Sequence, residues 1–230
     1  PLPPIDLQKG FVNFVHQVDK SKAIVQKCID KYDQLVKSRF IEEFGNPIIN
    51  DRNWSTLPLF QLTTKIGSGS TPSGDKQSYT GTDIAFVRSM NVHDAFFDYD
   101  ELAFITDEQA QKLSNVKLHE NDVLLNITGA SVARCCVLPS DVLPGYVNQH
   151  VCILRPNSNL DPWFLNHLLI SEPVKDYLLH ISKSKGATRE AITKLMIESM
   201  RIIVPPLERQ KSFSNFVHQV DKSKFKSNDT

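Results

Sequence analysis

Residues 3–22 read PPIDLQKGFVNFVHQVDKSK, and residues 205–224 read PPLERQKSFSNFVHQVDKSK. Aligned without gaps, fifteen of the twenty positions are identical, and differences such as Ile5/Leu207 and Asp6/Glu208 keep the residue's character. Two copies of one sequence should adopt one local structure and seek similar packing partners. The pattern is helical. The proline pair presets the first turn, where a missing N–H costs nothing. Asp6 and Glu208 put a negative charge there, at the positive end of the helix dipole.

In the first copy the apolar spacing runs on. Leu7, Phe14, Cys28 and Leu35 share one heptad position, interrupted at Ser21, while Phe11, Val18, Val25 and Tyr32 share another. Val15, Ile29 and Val36 broaden the stripe. This predicts a helix-pair or coiled-coil seam over about four heptads. The helix should run from Pro4 to Phe44 and stop at Gly45-Asn46-Pro47. At 1.5 Å per residue it would be roughly 60 Å long, too long to be buried in so small a domain, so it should protrude and find a partner. An ordinary amphipathic helix packed on its own domain is the alternative. The second copy ends soon after the match, at Phe225-Lys226-Ser227-Asn228-Asp229-Thr230. It is too short to be a full-length partner, which favours pairing between chains.

The texture changes from Trp54 to Val204. Residues 84–87, 123–127 and 150–154 read as strands. Residues 107–113, 162–169, 174–182 and 190–198 read as helices. The expected fold class is α+β: a mixed-sheet globular domain with a long protruding spacer helix and a second, short one. The expected division is residues 1–45 for the first helix, 46–204 for the globular domain and 205–230 for the shortened second copy.

Three loops are rich in groups that could meet DNA. The first holds Ser68, Ser70, Thr71 and Ser73 among glycines, followed by Lys76. The second holds Thr128 and Ser131 and leads to Arg134; the third is the basic turn Lys183-Ser184-Lys185-Gly186-Ala187-Thr188-Arg189. Exposed N–H groups, hydroxyls and cations are common phosphate and base-edge partners. Arg88 and Asn91, and Asn148-Gln149-His150, fall at strand ends; Arg suits guanine, and Asn or Gln suits adenine. Asn148-Gln149 reads equally well as a buried polar hinge.

Composition narrows the classes. Hydrophobic residues at 40% can build a core, and no run approaches a membrane span. Residues 1–4 lack the basic start and apolar stretch of a signal peptide. Balanced charge, 26 basic against 26 acidic residues, counts against a uniformly basic nucleic-acid binder but not against clustered basic residues. Cys28, Cys135, Cys136 and Cys152 show no metal or disulfide spacing, so reduced thiols in a cytoplasmic protein are expected. Gly67-Ser68-Gly69 begins like a dinucleotide loop, but Pro72 stands where the third glycine belongs. No phosphate-binding loop, nucleophile elbow, zinc-protease helix, methylase loop or nuclease pattern appears, so neither a catalytic site nor a cofactor is expected.

The set Phe40-Ile41-Glu42-Glu43-Phe44-Gly45-Asn46-Pro47, Asp122-Val123-Leu124-Leu125 leading to Thr128-Gly129, Val147-Asn148-Gln149-His150 and Val204-Pro205-Pro206-Leu207-Glu208-Arg209-Gln210 resembles the specificity subunit of type I restriction-modification enzymes. The resemblance covers nearly the whole chain. It implies two recognition domains alternating with two antiparallel spacer helices, which set the distance between half-sites of a bipartite DNA site and dock modification (methyltransferase) and restriction subunits. With one recognition domain, this chain looks like half of such a subunit, either a natural half that forms a homodimer or a piece of a longer protein. By that analogy Lys76, Lys183, Lys185 and Arg189 would contact phosphates, and Arg88, Asn91, Thr128, Ser131 and Arg134 would read bases. A coiled-coil protein-interaction module that binds no DNA is the rival reading, and a stand-alone methyltransferase comes third.

Overall fold

In the computed structural model, which describes residues 2–70, 79–183 and 190–228, the first repeat opens a 40-residue helix, α1 (Ile5–Phe44). Gln8 Nε2 donates to Pro3 O at 2.7 Å. The second repeat opens α7 (Leu207–Asn228), where Gln210 Nε2 donates to Pro205 O at 2.8 Å. The same local bond in both copies shows the shared sequence dictating its own helix start. At the other end of α1, Gly45 takes φ 74°, and a Cβ there would lie 2.0 Å from Asp51 Oδ1. Glycine is the residue that ends a helix in this conformation. Trp54 Nε1 then donates to Phe44 O at 3.0 Å and fixes the turn.

The remaining elements are β1 (Thr56–Pro58), α2 (Leu59–Leu62), β2 (Thr63–Ser68), β3 (Ile84–Val87), β4 (Ala103–Ile105), α3 (Asp107–Lys112), β5 (Val123–Asn126), β6 (Cys135–Val137), β7 (Gly145–Val147), β8 (Val151–Pro156), α4 (Pro162–Ile170), α5 (Glu172–Ser182), α6 (Lys194–Ser199) and β9 (Arg201–Ile203). The class is α+β with mixed sheets. The expected strands and helices are present; the one expected from residue 190 is shorter, because Thr193 caps it by accepting from Met196 N, and residues 190–192 run beside Ile127–Gly129 instead.

Three sheets form: β2-β8-β5-β6, antiparallel throughout; β4-β3-β7, with β3 and β7 parallel; and the pair β1-β9. The four-stranded sheet divides two cores by simple alternation. Val123, Leu125, Cys135, Cys152 and Leu154 face the helices, while Leu124, Cys136, Val151 and Ile153 face the three-stranded sheet. Successive strand residues point to opposite faces, so a strand buried on both sides reads as an unbroken apolar run. Opposite the interface described below, Asp122 is fully buried and accepts from Arg155 Nε at 2.7 Å.

The β1-β9 pair places the end of α1 beside the start of α7, and the two helices pack antiparallel. Phe213 lies against Phe40 and Phe44 with ring centroids 5.4 and 5.6 Å apart, and Lys224 Nζ reaches Asp33 Oδ1 at 2.6 Å. The second copy therefore packs within its own chain, against the end of α1. The face it covers is Val36, Phe40 and Phe44, offset from the expected seam. Of that seam only Tyr32 packs against the core; Leu7, Phe11, Phe14 and Leu35 are about half to two-thirds exposed, Cys28 is exposed, and Val18 and Val25 are half-buried.

Candidate nucleic-acid interface

Both larger sheets end on one rim. β2, β3, β5 and β7 run towards it and finish at Ser68, Val87, Asn126 and Val147, while β6 and β8 leave from it at Cys135 and Val151. Backbone bonds lock the segments beyond these ends. Gly69 N donates to Asn148 O at 3.1 Å, Asn148 N to Val87 O at 3.0 Å, and Ile127 N to His150 O at 2.9 Å. A Cβ on Gly69 would sit 1.8 Å from Val147 O, so only glycine allows this approach. Gly129, at φ 74°, turns the exposed β5–β6 connection, and its N–H donates to Glu190 O at 3.1 Å.

Thr128, His150 and Gln149 meet on this frame. Gln149 Nε2 lies 3.2 Å from His150 Nε2, and Thr128 Oγ1 lies 2.6 Å from His150 Nδ1. An amide N–H can only donate, so the ring accepts at Nε2 and donates from Nδ1 to the threonine hydroxyl. Along the rim, Arg134 Nη1 lies 3.4 Å from His93 Nδ1, and the His93 ring stacks on exposed Phe96 at 4.7 Å. Ser68 and Ser131 are half-buried beside the rim, Ser70 is exposed, and exposed Lys183 lies 3.9 Å from Glu190.

The rim thus gathers Ser68, Ser70, Thr128, Ser131, Arg134 and Lys183 from distant parts of the sequence. Thr71, Ser73, Lys76, Lys185, Thr188 and Arg189 lie outside the described residues. Two expectations change. Asn91 is fully buried: its Oδ1 accepts from Arg88 N at 3.0 Å, and its Nδ2 donates to the carbonyls of Asp98 and Asp100. A carboxamide spent on backbone groups has nothing left for a base edge, so Asn91 is a brace. Arg88 bonds to the Glu101 carbonyl and lies over the Tyr79 ring at 5.9 Å, so its guanidinium is also engaged within the fold. His150 and His93 gain their partners only where the strand ends meet. Asn148-Gln149-His150 at a strand end was the available signal.

The buried thiols carry no reactivity. Burial pushes the Cys136 and Cys152 pKa values up to about 12, and that of Cys135 up as well. Such groups stay protonated, and a thiol is a poor nucleophile. Among the described residues, no group of three His, Cys, Asp or Glu side chains is placed to hold a metal ion.

Residues 52–230 match the family model of the type I restriction modification DNA specificity domain. The chain belongs to that family. Type I specificity domains also occur among its curated relatives. It is 23% identical over 192 residues to the type I restriction enzyme EcoBI specificity subunit of Escherichia coli, covering 84% of this chain and 37% of that protein. To the HindI specificity subunit of Haemophilus influenzae it is 24% identical over 139 residues, covering 60% and 30%. The chain thus spans about a third of each relative's length.

Among solved structures, a chain of a type I restriction-modification system studied for complex assembly and conformational transition aligns with TM-score 0.60 at 19% identity, covering 99% of this chain and 56% of that one. The HsdS subunit from Thermoanaerobacter tengcongensis aligns with TM-score 0.58 at 20% identity, covering 99% and 54%. These likenesses are ones of fold. DNA specificity is the role by which the family is described.

Proposed function

We propose that this chain reads one half of a bipartite duplex site through the rim where its two larger sheets end. The observation that supports this most is the convergence of polar and basic side chains from three distant segments, residues 68–70, 128–134 and 183, onto a backbone-locked edge. Thr128, Ser131 and Arg134 are the proposed base readers, with Ser68 and Ser70 beside them; Thr71, Ser73 and Thr188, outside the described residues, are proposed as further DNA contacts. Lys76, Lys183, Lys185 and Arg189 contact phosphates. Phosphate contacts set register and base contacts set sequence.

The exposed stretch of α1 serves assembly. We assign it to docking a second copy of the chain, and in the full complex the methyltransferase and restriction subunits, in the cytoplasm. The working division is helix 1–45, recognition domain 46–204 and second helix 205–230. A homodimer would present two rims related by a two-fold axis, so its half-sites would be inverted copies of one sequence. Among the described residues no helix is long and apolar enough to cross a membrane.

Replacing Arg134 or Thr128 by Ala tests the base-reading role by binding to single-base-pair variants of a preferred duplex. Each substitution should remove roughly 1–3 kcal/mol of discrimination at one base pair. Equal loss on every duplex would mean that the residue touches phosphate instead.

A further inference from the structure

The three expected loops leave out the flank of the domain beside β2. This strand is the outer member of the four-stranded sheet. A groove of about 250 Å³ runs along it, with Lys65, Ser68, Asn115 and Lys194 as its polar lining. Ile127 and Ile197 supply apolar wall. The space suits one phosphodiester group or several waters.

The two lysines reach this groove from different elements. Lys65 is half-buried on β2, and its chain lies alongside Gly67, where an added Cβ would come 3.4 Å from Lys65 Cε. The missing side chain at Gly67 leaves a lane along the strand towards the rim. Lys194 projects from α6 and pairs with Glu198 at 3.4 Å. Both lysines line this one groove, which also reaches the buried Cys152 on β8. Among the described residues no carboxylate pairs with Lys65. A half-buried, unneutralised cation facing a concave surface is an anion site waiting for charge.

The groove is continuous with the proposed reading edge, because Ser68 belongs to both. Lys65 sits three residues back along the strand, roughly 10 Å at 3.3 Å per residue. Phosphates of a duplex whose bases meet the rim would run outward at that scale.

We propose that the Lys65–Lys194 groove is a phosphate subsite that grips the DNA backbone just outside the bases read at the rim. This rests on the DNA-reading assignment and extends its footprint to β2 and α6. The contact is to backbone, so it adds affinity on every sequence and selects none.

The test is duplex binding by fluorescence anisotropy across a salt series, for the unaltered chain, Lys65→Ala, Lys194→Ala, the double variant and Lys65→Arg. Lys112→Ala, exposed at the end of α3, is the control, and circular dichroism verifies folding. Lys65→Ala and Lys194→Ala should each reduce the slope of log affinity against log salt by about 0.9, equally on preferred and scrambled duplexes. Lys65→Arg should keep the slope, and so should Lys112→Ala. An unchanged slope in the folded double variant, while the unaltered chain binds, overturns the groove and leaves the rim standing. No duplex binding by the unaltered chain at low salt overturns both. Inorganic phosphate alone shifting the Gly67 and Ser68 amide signals, with the DNA slope unchanged, would make this a free-anion site and also overturn the proposal.

Discussion

At the residue scale, the polar groups divide by whether their bonds are already made. Asn91 and Asp122 are fully buried and saturated by backbone and arginine partners, as buried polar groups must be. Thr128, Arg134 and His150 are half-buried, with part of their surface open. Sequence alone could not make this division, because Arg88-Ser89-Met90-Asn91 and Thr128-Gly129-Ala130-Ser131 look equally loop-like. The difference lies in which carbonyls the fold brings within reach.

His167 shows a third state. Its Nε2 is buried without a partner at the wall of a cavity of about 170 Å³ between α1, α4 and α7, which also holds Asp33, Lys37, Asp94, Asp221 and Lys224. Burial, with Lys224 and Lys37 nearby, lowers its pKa from 6.5 to about 3. A depressed histidine pKa means that the unfolded state binds the proton more readily. The stability this neutral ring confers is fully present above pH 6.5 and declines as pH falls towards about 3. The loss should reach on the order of 2 kcal/mol by about pH 5. Urea titrations at neutral and mildly acid pH should therefore show His167→Phe losing less stability than the unaltered chain. Equal losses would place the pH sensitivity elsewhere.

At the element scale, one helix sequence occurs in two environments. In α7, Phe213, Val217 and Val220 are buried, and Gln210 Oε1 accepts from Asp161 N at 2.9 Å. Half-burial works against the charge of Lys224, but its bonds to Asp33 and Asp221 prevail and raise its pKa. In α1 the matching Phe11 is 67% exposed and Val15 38% exposed. Phe213→Ala should cost about 3–5 kcal/mol in chemical denaturation, the usual range for a buried phenylalanine. Phe11→Ala should leave monomer stability unchanged while lowering the mass seen by light scattering from that of a homodimer. If Phe11→Ala changes neither property, the exposed face has no role in self-assembly.

The helices were the most legible elements, since the proline start, the apolar spacing and Gly45 all act locally. Pairing was not legible. The stripe on α1 shows that a face is apolar, whereas β1 and β9 determine that Val36, Phe40 and Phe44 are the part covered.

At the scale of the whole molecule, the four-stranded sheet is the frame on which the reading depends. Its two buried faces fix every strand, so the loops at one end can vary in sequence without disturbing either core. The fold class was readable because both faces carry apolar runs. The rim was readable only as three separate loops, since joining them needs the strand order β2-β8-β5-β6 and the Gly69–Asn148 contact. Zero net charge counts against a uniformly basic DNA binder, but the proposed contacts at Lys65, Arg134, Lys183 and Lys194 require no basic excess over the whole chain.

The most direct measurement is selection of bound duplexes by the chain from a random-sequence pool, at low and then rising salt. The account predicts enrichment of one short motif, present as an inverted pair if the chain is dimeric. Binding that never favours any sequence, or no binding at the lowest salt, would contradict the claim that this rim reads DNA.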